Sequence, residues 1–151
     1  MVRGNVGWRV ALCGAAVVAL FASCVTSKYD VKLEAASADW QEKIGAFITD
    51  AEAKAGTPGG EYEVNKQFYE DMQNSIGGHV ARTKSANGSA RAVEILELLS
   101  KDIENLRKLH ESGGKGGLSK ALGDPARQAI ETELRALNKL QSEYRAGNEN
   151  G

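Results

Sequence analysis

Apolar side chains recur every three or four residues along most of the chain, which is the spacing of one face of an α-helix. The clearest stripe lies within residues 90–111. It consists of Val93, Leu96, Leu99, Ile103 and Leu106, and His110 continues the same spacing. Similar stripes predict helices over residues 27–55, 58–84 and 125–145. Apolar and polar side chains nowhere alternate long enough to indicate a β-strand.

Each of the other three predicted helices has its own apolar face. The face of the first is Tyr29, Leu33, Ala36, Trp40, Ile44, Phe47, Ile48 and Ala51. The face of the second is Tyr62, Phe68 or Tyr69, Met72, Ile76 and Val80. The face of the fourth is Ala126, Ile130, Leu134, Leu137, Leu140 and Tyr144. The second helix is the weakest of the four, and we expect its Gly77-Gly78 pair to loosen or kink it.

Turn and capping residues separate these helices. Gly56 stands where a left-handed helix cap is expected, and Thr57-Pro58 and Asp124-Pro125 each read as an N-cap followed by a proline at the first helical position. Residues 87–89 predict a tight turn. The glycine-rich residues 112–123 predict a flexible loop, in which residues 118–122 form one helical turn.

Short connections between helices place consecutive helices side by side and antiparallel. The sequence therefore predicts an all-α protein, an antiparallel up-and-down bundle of four helices that follows an N-terminal signal helix. The alternative is a bundle of three long helices with the second helix loosely docked. In the core we expect the third helix to face the first and fourth. The side chains expected to meet there are Leu99, Ile103, Leu106, Ile44, Phe47, Leu134 and Leu137.

Composition limits the class of protein. The chain has 151 residues, of which 42% are hydrophobic and 26% charged, as in an ordinary globular domain. Its formal net charge is −1, so it lacks the basic excess that neutralises phosphates. We therefore expect one domain and no nucleic-acid partner.

The first residues have the pattern of a targeting signal. Arg3 and Arg9 precede an apolar run over residues 10–22, which is too short to span a membrane but has the length of a signal-peptide core. Small residues and a cysteine follow, as Ala22-Ser23-Cys24. This segment resembles the lipobox of bacterial lipoprotein signals, with Phe21 at the position that is usually aliphatic.

The resemblance implies a lipid on Cys24 and cleavage after Ser23, which divides the chain into a signal peptide (1–23) and a helical bundle domain with a flexible polar C-terminal tail (24–151). Cys13 would leave with the signal, so Cys24 would be the one cysteine that remains in the mature chain. Val25 after the cysteine implies the outer membrane, facing the periplasm. An uncleaved signal anchor and simple secretion are the alternatives.

Candidate chemistry outside the lipobox is sparse. His79 and His110 lack the partners of a helical metal motif, so we expect both to be boundary residues without a metal role. Lys115 within Gly-Gly-Lys-Gly-Gly lacks the Ser or Thr and the preceding strand of a phosphate loop. Trp40 is expected in the core. We expect no catalytic residue, no cofactor and no metal, and hence no enzyme.

Two functions remain. The first is a membrane-anchored lipoprotein whose bundle acts as an envelope interaction or structural module, attached to the membrane through Cys24 and contacting an envelope protein. The alternative is a bundle that binds a small apolar ligand or lipid in the periplasm. A cavity of roughly 300 Å³ or more between the helices would favour the alternative, because that is the lower limit of ordinary ligand pockets.

Overall fold

A computed structural model describes residues 29–149 of the chain. Four α-helices succeed one another in this part: α1 (Val31–Ala53), α2 (Tyr62–Ser85), α3 (Ala90–Ser112) and α4 (Lys120–Glu149). Single turns of 3₁₀-helix, Pro58–Gly60 and Gly114–Gly116, lie in two of the connections. Residues 29–149 contain no β-strand. The predicted all-α bundle of four helices is confirmed.

The helices run alternately up and down, so the bundle has two distinct ends. At the proximal end, where residue 29 lies, the Asp30 side chain contacts Arg82 at the end of α2, and its backbone N–H contacts Gln141 near the end of α4. At the distal end Glu52 of α1 pairs with Arg127 near the start of α4. The chain therefore enters and leaves the described bundle at the same end.

One hydrophobic core runs from end to end and contains the buried faces of all four helices. The expected central side chains are all in it, with Phe47 partly buried at its margin. The backbone of α1 lies closer to α4 than to α2, and aromatic side chains fill the wider gap. There the Phe47 and Phe68 rings stack with centroids 3.7 Å apart, and Trp40 Nε1 donates to Ser75 Oγ at 2.9 Å.

Helix α2 is an integral part of the bundle. It packs along α3, where Gln73 Nε2 donates to the Ser100 carbonyl and the Ser100 hydroxyl donates to Gln73 Oε1. The helix is continuous through Gly77 and Gly78, so this pair does not end it. The alternative prediction, a bundle of three helices with a loosely docked second helix, is therefore wrong.

Two helices begin later than predicted. Helix α1 begins at Val31, because the Asp30 carboxylate accepts hydrogen bonds from the backbone N–H groups of Lys32 and Leu33 and caps it. Helix α2 begins at Tyr62 and not at Pro58. A Cβ on Gly60 would lie 2.2 Å from the Lys54 carbonyl oxygen. The chain must pass this close to the end of α1 before α2 begins.

Helix α4 begins before the predicted cap at Asp124-Pro125 and ends later than residue 145. It starts at Lys120, so Pro125 lies inside it. The missing N–H of Pro125 leaves only the Ala121 carbonyl without its helical donor, and Ala121 is exposed to water, which limits the cost. At the other end α4 continues to Glu149, through residues that the sequence assigned to the polar tail.

The glycine-rich connection between α3 and α4 packs against the connection between α1 and α2. Gly56, whose φ of 78° is the predicted left-handed cap, donates its backbone N–H to the Gly116 carbonyl at 3.0 Å. A Cβ on Gly117 would lie 2.4 Å from the Gly60 carbonyl oxygen. Leu118 is completely buried. The segment predicted as a flexible loop is thus held to its neighbour by direct backbone contact.

Candidate functional site

The predicted lipidation site lies outside the described residues, as does the whole signal segment. The described chain begins at Tyr29, five positions after Cys24. Among the helices of residues 29–149, none has the length and apolar character needed to cross a membrane. The candidate site that the structure does describe lies close to the start of α1.

A cleft of about 320 Å³ opens at the proximal end of the bundle, and we call it the proximal cleft. All four helices and the turn between α2 and α3 contribute to its walls. The residues that matter for its chemistry are Asp30, Leu33, Thr83, Gly88, Ala92 and Gln141. Because each helix terminus brings polar backbone and capping groups to this end, the cleft combines apolar walls with several polar groups.

Two buried polar atoms of the proximal cleft have no hydrogen-bond partner among the described residues. They are Nε2 of Gln141 and Oγ1 of Thr83, whose residues are only 1% and 7% exposed. The amide of Gln141 cannot be turned to exchange its two ends, because its Oε1 accepts the backbone N–H of Asp30 at 2.9 Å. Its NH₂ group is therefore a fixed donor that lacks an acceptor.

Charged groups beside the proximal cleft are paired with one another. Asp30 Oδ2 accepts from Arg82 Nη2 at 2.8 Å, and another contact of Nη2 is with His79 Nδ1 at 3.0 Å. Burial raises the pKa of Asp30, but hydrogen bonds from Leu33 N–H and Arg82 outweigh it and hold that pKa below its ordinary value. Burial, followed by the Arg82 charge, lowers the pKa of His79. The charge of the Asp30 carboxylate is therefore compensated by Arg82 and by the start of α1.

His110 is at the distal end and is completely buried, so the predicted boundary position is wrong for this residue. Its Nε2 lies 2.7 Å from the Gly60 carbonyl oxygen, and its Nδ1 lies 2.8 Å from the Tyr69 hydroxyl. A carbonyl only accepts, so Nε2 carries a proton, and in the neutral ring Nδ1 accepts from the Tyr69 hydroxyl. Burial raises the pKa of Tyr69. This chain of hydrogen bonds ties α3 to α2 and to the Gly60 turn.

The remaining candidates behave as boundary or core residues. His79 is half-buried, and its ring meets the Trp40 ring edge-on with centroids 5.0 Å apart, while Trp40 itself is in the core as predicted. Burial raises the pKa of Asp102 on α3, and burial followed by the Asp102 charge raises that of Glu133 on α4. No group of three metal-ligating side chains occurs within residues 29–149.

Other grooves are as large as the proximal cleft but differ from it chemically. A groove of about 390 Å³ between α2 and α3 is lined by Gly77, Val80 and the ion pair of Lys84 with Glu97, whose charged atoms are 2.7 Å apart. Its polar groups are exposed and paired. Volume therefore does not single out a site, whereas the two unpaired buried atoms of the proximal cleft do.

Sequence reasoning did not find the proximal cleft. Thr83 and Gln141 lie on different helices, and neither belongs to a spacing motif that marks a binding site. Their roles depend on which atoms of other helices come close to them. No protein-family model matches this chain, and neither does any curated protein or solved structure.

Proposed function

We propose that the chain is a bacterial lipoprotein, anchored to a membrane through a lipid on Cys24, whose helical bundle serves as an interaction or structural module of the cell envelope. The observation that carries this proposal is the order of features in residues 1–24. A lipoprotein signal requires these features in a fixed order, which this segment follows: two arginines, a short apolar run and then Ala22-Ser23-Cys24.

The distance between Cys24 and the bundle supports a role close to the membrane. Asp30 caps α1, so only residues 25–30 connect the cysteine to the first helix. Six residues reach at most about 20 Å, at about 3.3–3.6 Å per residue, whatever their conformation. A lipid on Cys24 would therefore keep the proximal end near the bilayer and leave the distal end free to meet a partner.

Metabolic labelling with a fatty-acid analogue tests the lipid anchor. Label is expected on the wild-type chain and on Cys13→Ser, because Cys13 lies inside the segment that is removed. Cys24→Ser is expected to carry no label and to accumulate as a longer precursor. Label retained by Cys24→Ser would contradict the proposal.

The proposed location is the outer membrane, with the bundle facing the periplasm, because Val25 and not an aspartate follows Cys24. Density fractionation is expected to place the protein with outer-membrane markers. Changing Val25→Asp is expected to shift it to the inner-membrane fraction, and this variant is a matched control because Cys24 is untouched. Wild-type protein in the inner-membrane fraction would contradict the location while leaving the anchor intact.

An envelope protein is the partner proposed for the bundle. Crosslinking of whole cells before membranes are dissolved in detergent tests this, with the Cys24→Ser chain as the control that lacks the anchor. A reproducible crosslinked product that depends on Cys24 is expected. The absence of any such product over repeated experiments would count against an interaction module.

The second candidate function is the binding of a small apolar ligand or lipid, and the proximal cleft favours it. At about 320 Å³ the cleft lies at the lower limit of volumes usual for ligand pockets. It also lies at the end of the bundle that the anchor would hold close to lipid. The two functions are compatible, since an anchored bundle can bind both a partner and a ligand.

A further inference from the structure

We infer that the proximal cleft binds a neutral acyl compound, an ester or amide whose carbonyl oxygen accepts hydrogen bonds from Gln141 Nε2 and from the Thr83 hydroxyl. The inference names the ligand class for the second candidate function and rests on it. It does not depend on whether Cys24 carries a lipid.

The polar atoms of the cleft call for an acceptor. Because Gln141 Oε1 is occupied by the Asp30 N–H, the only free capacity of this side chain is that of its NH₂ donor. The Thr83 hydroxyl is also free to donate. Native proteins rarely leave such buried groups unpaired, and each instance requires an explanation such as a ligand or an ordered water. A carbonyl oxygen accepts two hydrogen bonds and so can use both donors.

The charges around the cleft favour a neutral ligand. The Asp30 carboxylate already accepts from two backbone N–H groups and from Arg82. A buried anion would lie beside this carboxylate with only two neutral donors to replace its hydration. A cation would offer no acceptor to Gln141. The ammonium group of Lys32 belongs to an exposed residue on the cleft wall and so remains in water.

The walls and size of the cleft favour an acyl segment. Leu33 and Ala92 are buried apolar residues of its lining, and Val31 contributes an apolar side chain that is 62% exposed. A volume of about 320 Å³ accommodates a short acyl segment with its carbonyl and not a whole phospholipid. Neither polar atom is open to bulk water. The ligand must therefore widen the cleft as it binds, beside the turn where Gly88 N–H donates to the Thr83 carbonyl at 2.8 Å.

Two sources can supply this chemistry. One is a free membrane lipid or its breakdown product, whose ester carbonyl lies at the level of the bilayer surface. The other is the acyl amide that would form on the amino group of Cys24, which is five residues from Tyr29 on the cleft wall. Five residues reach about 17 Å when extended, so both sources are within range.

The side-chain amide of Gln141 provides the direct test. The full chain, kept unlipidated by Cys24→Ser and held in amphipol, is labelled with ¹⁵N-glutamine and titrated with 1-monohexanoylglycerol. The Gln141 NH₂ signal, identified by its loss in Gln141→Glu, is expected to shift and saturate. Thr83→Val is expected to weaken binding about five- to tenfold, since one hydrogen bond is lost. Thr132→Val, which changes an exposed threonine of α4, is the matched control.

Charged analogues test the neutral class of the ligand separately from the claim that the cleft binds a ligand. Hexanoate and hexylammonium are expected to bind at least about tenfold more weakly than the ester. Equal or tighter binding of either would overturn the neutral class while leaving the second candidate function in place. No saturable shift with any of the three compounds would overturn both.

The lipidated wild-type chain identifies the source. If the Gln141 signal is already shifted in that chain and the ester no longer binds, the ligand is the chain's own acyl amide. If the ester binds the lipidated chain with the same affinity as it binds the Cys24→Ser chain, the ligand is a separate lipid. Either result supports the inferred ligand class, and binding that is unchanged by Thr83→Val would contradict it.

Discussion

The two ends of the bundle differ in how fully their buried polar groups are paired. At the distal end His110 is hydrogen-bonded through both ring nitrogens, to Tyr69 and to Gly60. At the proximal end Gln141 Nε2 and Thr83 Oγ1 are buried without a partner among the described residues. Each unpaired buried group costs about 1–3 kcal/mol, so the two at the proximal end lower the stability of the bundle there.

This difference supports the proposal that the proximal end binds a ligand, whereas the distal end serves packing. At the distal end one oxygen of Glu52 is also unpaired, but its other oxygen is 3.2 Å from Arg127, so the carboxylate charge is compensated. The distal connections also touch through their backbones, as in the contact of Gly117 with Gly60. Buried polar groups without a protein partner are one mark of a functional site, which supports the binding proposed for the proximal cleft.

A substitution in the core between the two ends should have the largest effect on the free energy of unfolding. Ile103 is completely buried at the middle of α3. We expect Ile103→Ala to lower the free energy of unfolding by about 2–5 kcal/mol, through lost transfer energy and a residual cavity. The exposed Lys101→Ala on the same helix should change it by less than about 0.5 kcal/mol. Urea unfolding measures both, and a larger effect of Lys101→Ala would contradict the assigned helix face.

The same tyrosine-to-phenylalanine change at each end tests the comparison directly. Tyr69→Phe would leave His110 Nδ1 buried without a donor, and we expect a loss of about 1–3 kcal/mol of unfolding free energy. Tyr144 shares a hydrogen bond with Ser89 at the proximal end but is half-buried, so water can replace its hydroxyl. Tyr144→Phe should therefore cost under about 1 kcal/mol. Equal losses in urea unfolding would remove the distinction between the ends.

Removing the unpaired hydroxyl of Thr83 should change the free energy of unfolding in the opposite direction. Thr83→Val deletes a buried hydroxyl that has no partner among the described residues and keeps a side chain of similar shape. We expect the unfolding free energy to stay the same or rise by up to about 1 kcal/mol. Thermal unfolding without ligand measures this. A clear decrease would show that the hydroxyl has a structural partner and would weaken the case for a binding cleft.

The smallest effect is expected from pH. Burial lowers the folded-state pKa of His79 from 6.5, so the unfolded chain takes up the proton first as the pH falls. Neutral His79 contributes to the free energy of unfolding. This contribution is fully present above the pKa of the unfolded state and is lost as the pH falls through the pKa of the folded state. Urea unfolding at pH 7.5 and 5.5 should show a larger decrease in wild type than in His79→Gln. Both pH values lie well above the ordinary pKa of Asp30, 3.8, so that group adds no change.

Local patterns in the sequence were enough to predict the helices and most of the core. Leu99, Ile103 and Leu106 follow the helical period, and all three are completely buried. Helix starts were less predictable where distant backbone decides them. The late start of α2 depends on the close passage of Gly60 by Lys54, a contact that no local pattern records.

The two polar sites could not be derived from the sequence for a related reason. The burial of His110 depends on Tyr69, which is 41 residues away, and on Gly60, which is 50 residues away. Gln141 meets Asp30 across 111 residues. Such pairings follow from the relative rotation and height of packed helices, which the apolar stripe of each helix constrains only loosely.

An even number of antiparallel helices brings the first and last described residues to one end of the bundle, and this matters for any attached reporter. Residue 29 lies just before α1 and residue 149 is the last residue of α4, and both are at the proximal end. If Cys24 carries the anchor, a fluorescent domain fused after residue 151 would be crowded against the bilayer. The same domain inserted in the Gly114–Gly116 turn would stand away from it by about the length of α3, roughly 35 Å for 23 residues. That insertion would place a reporter where an envelope partner can reach it.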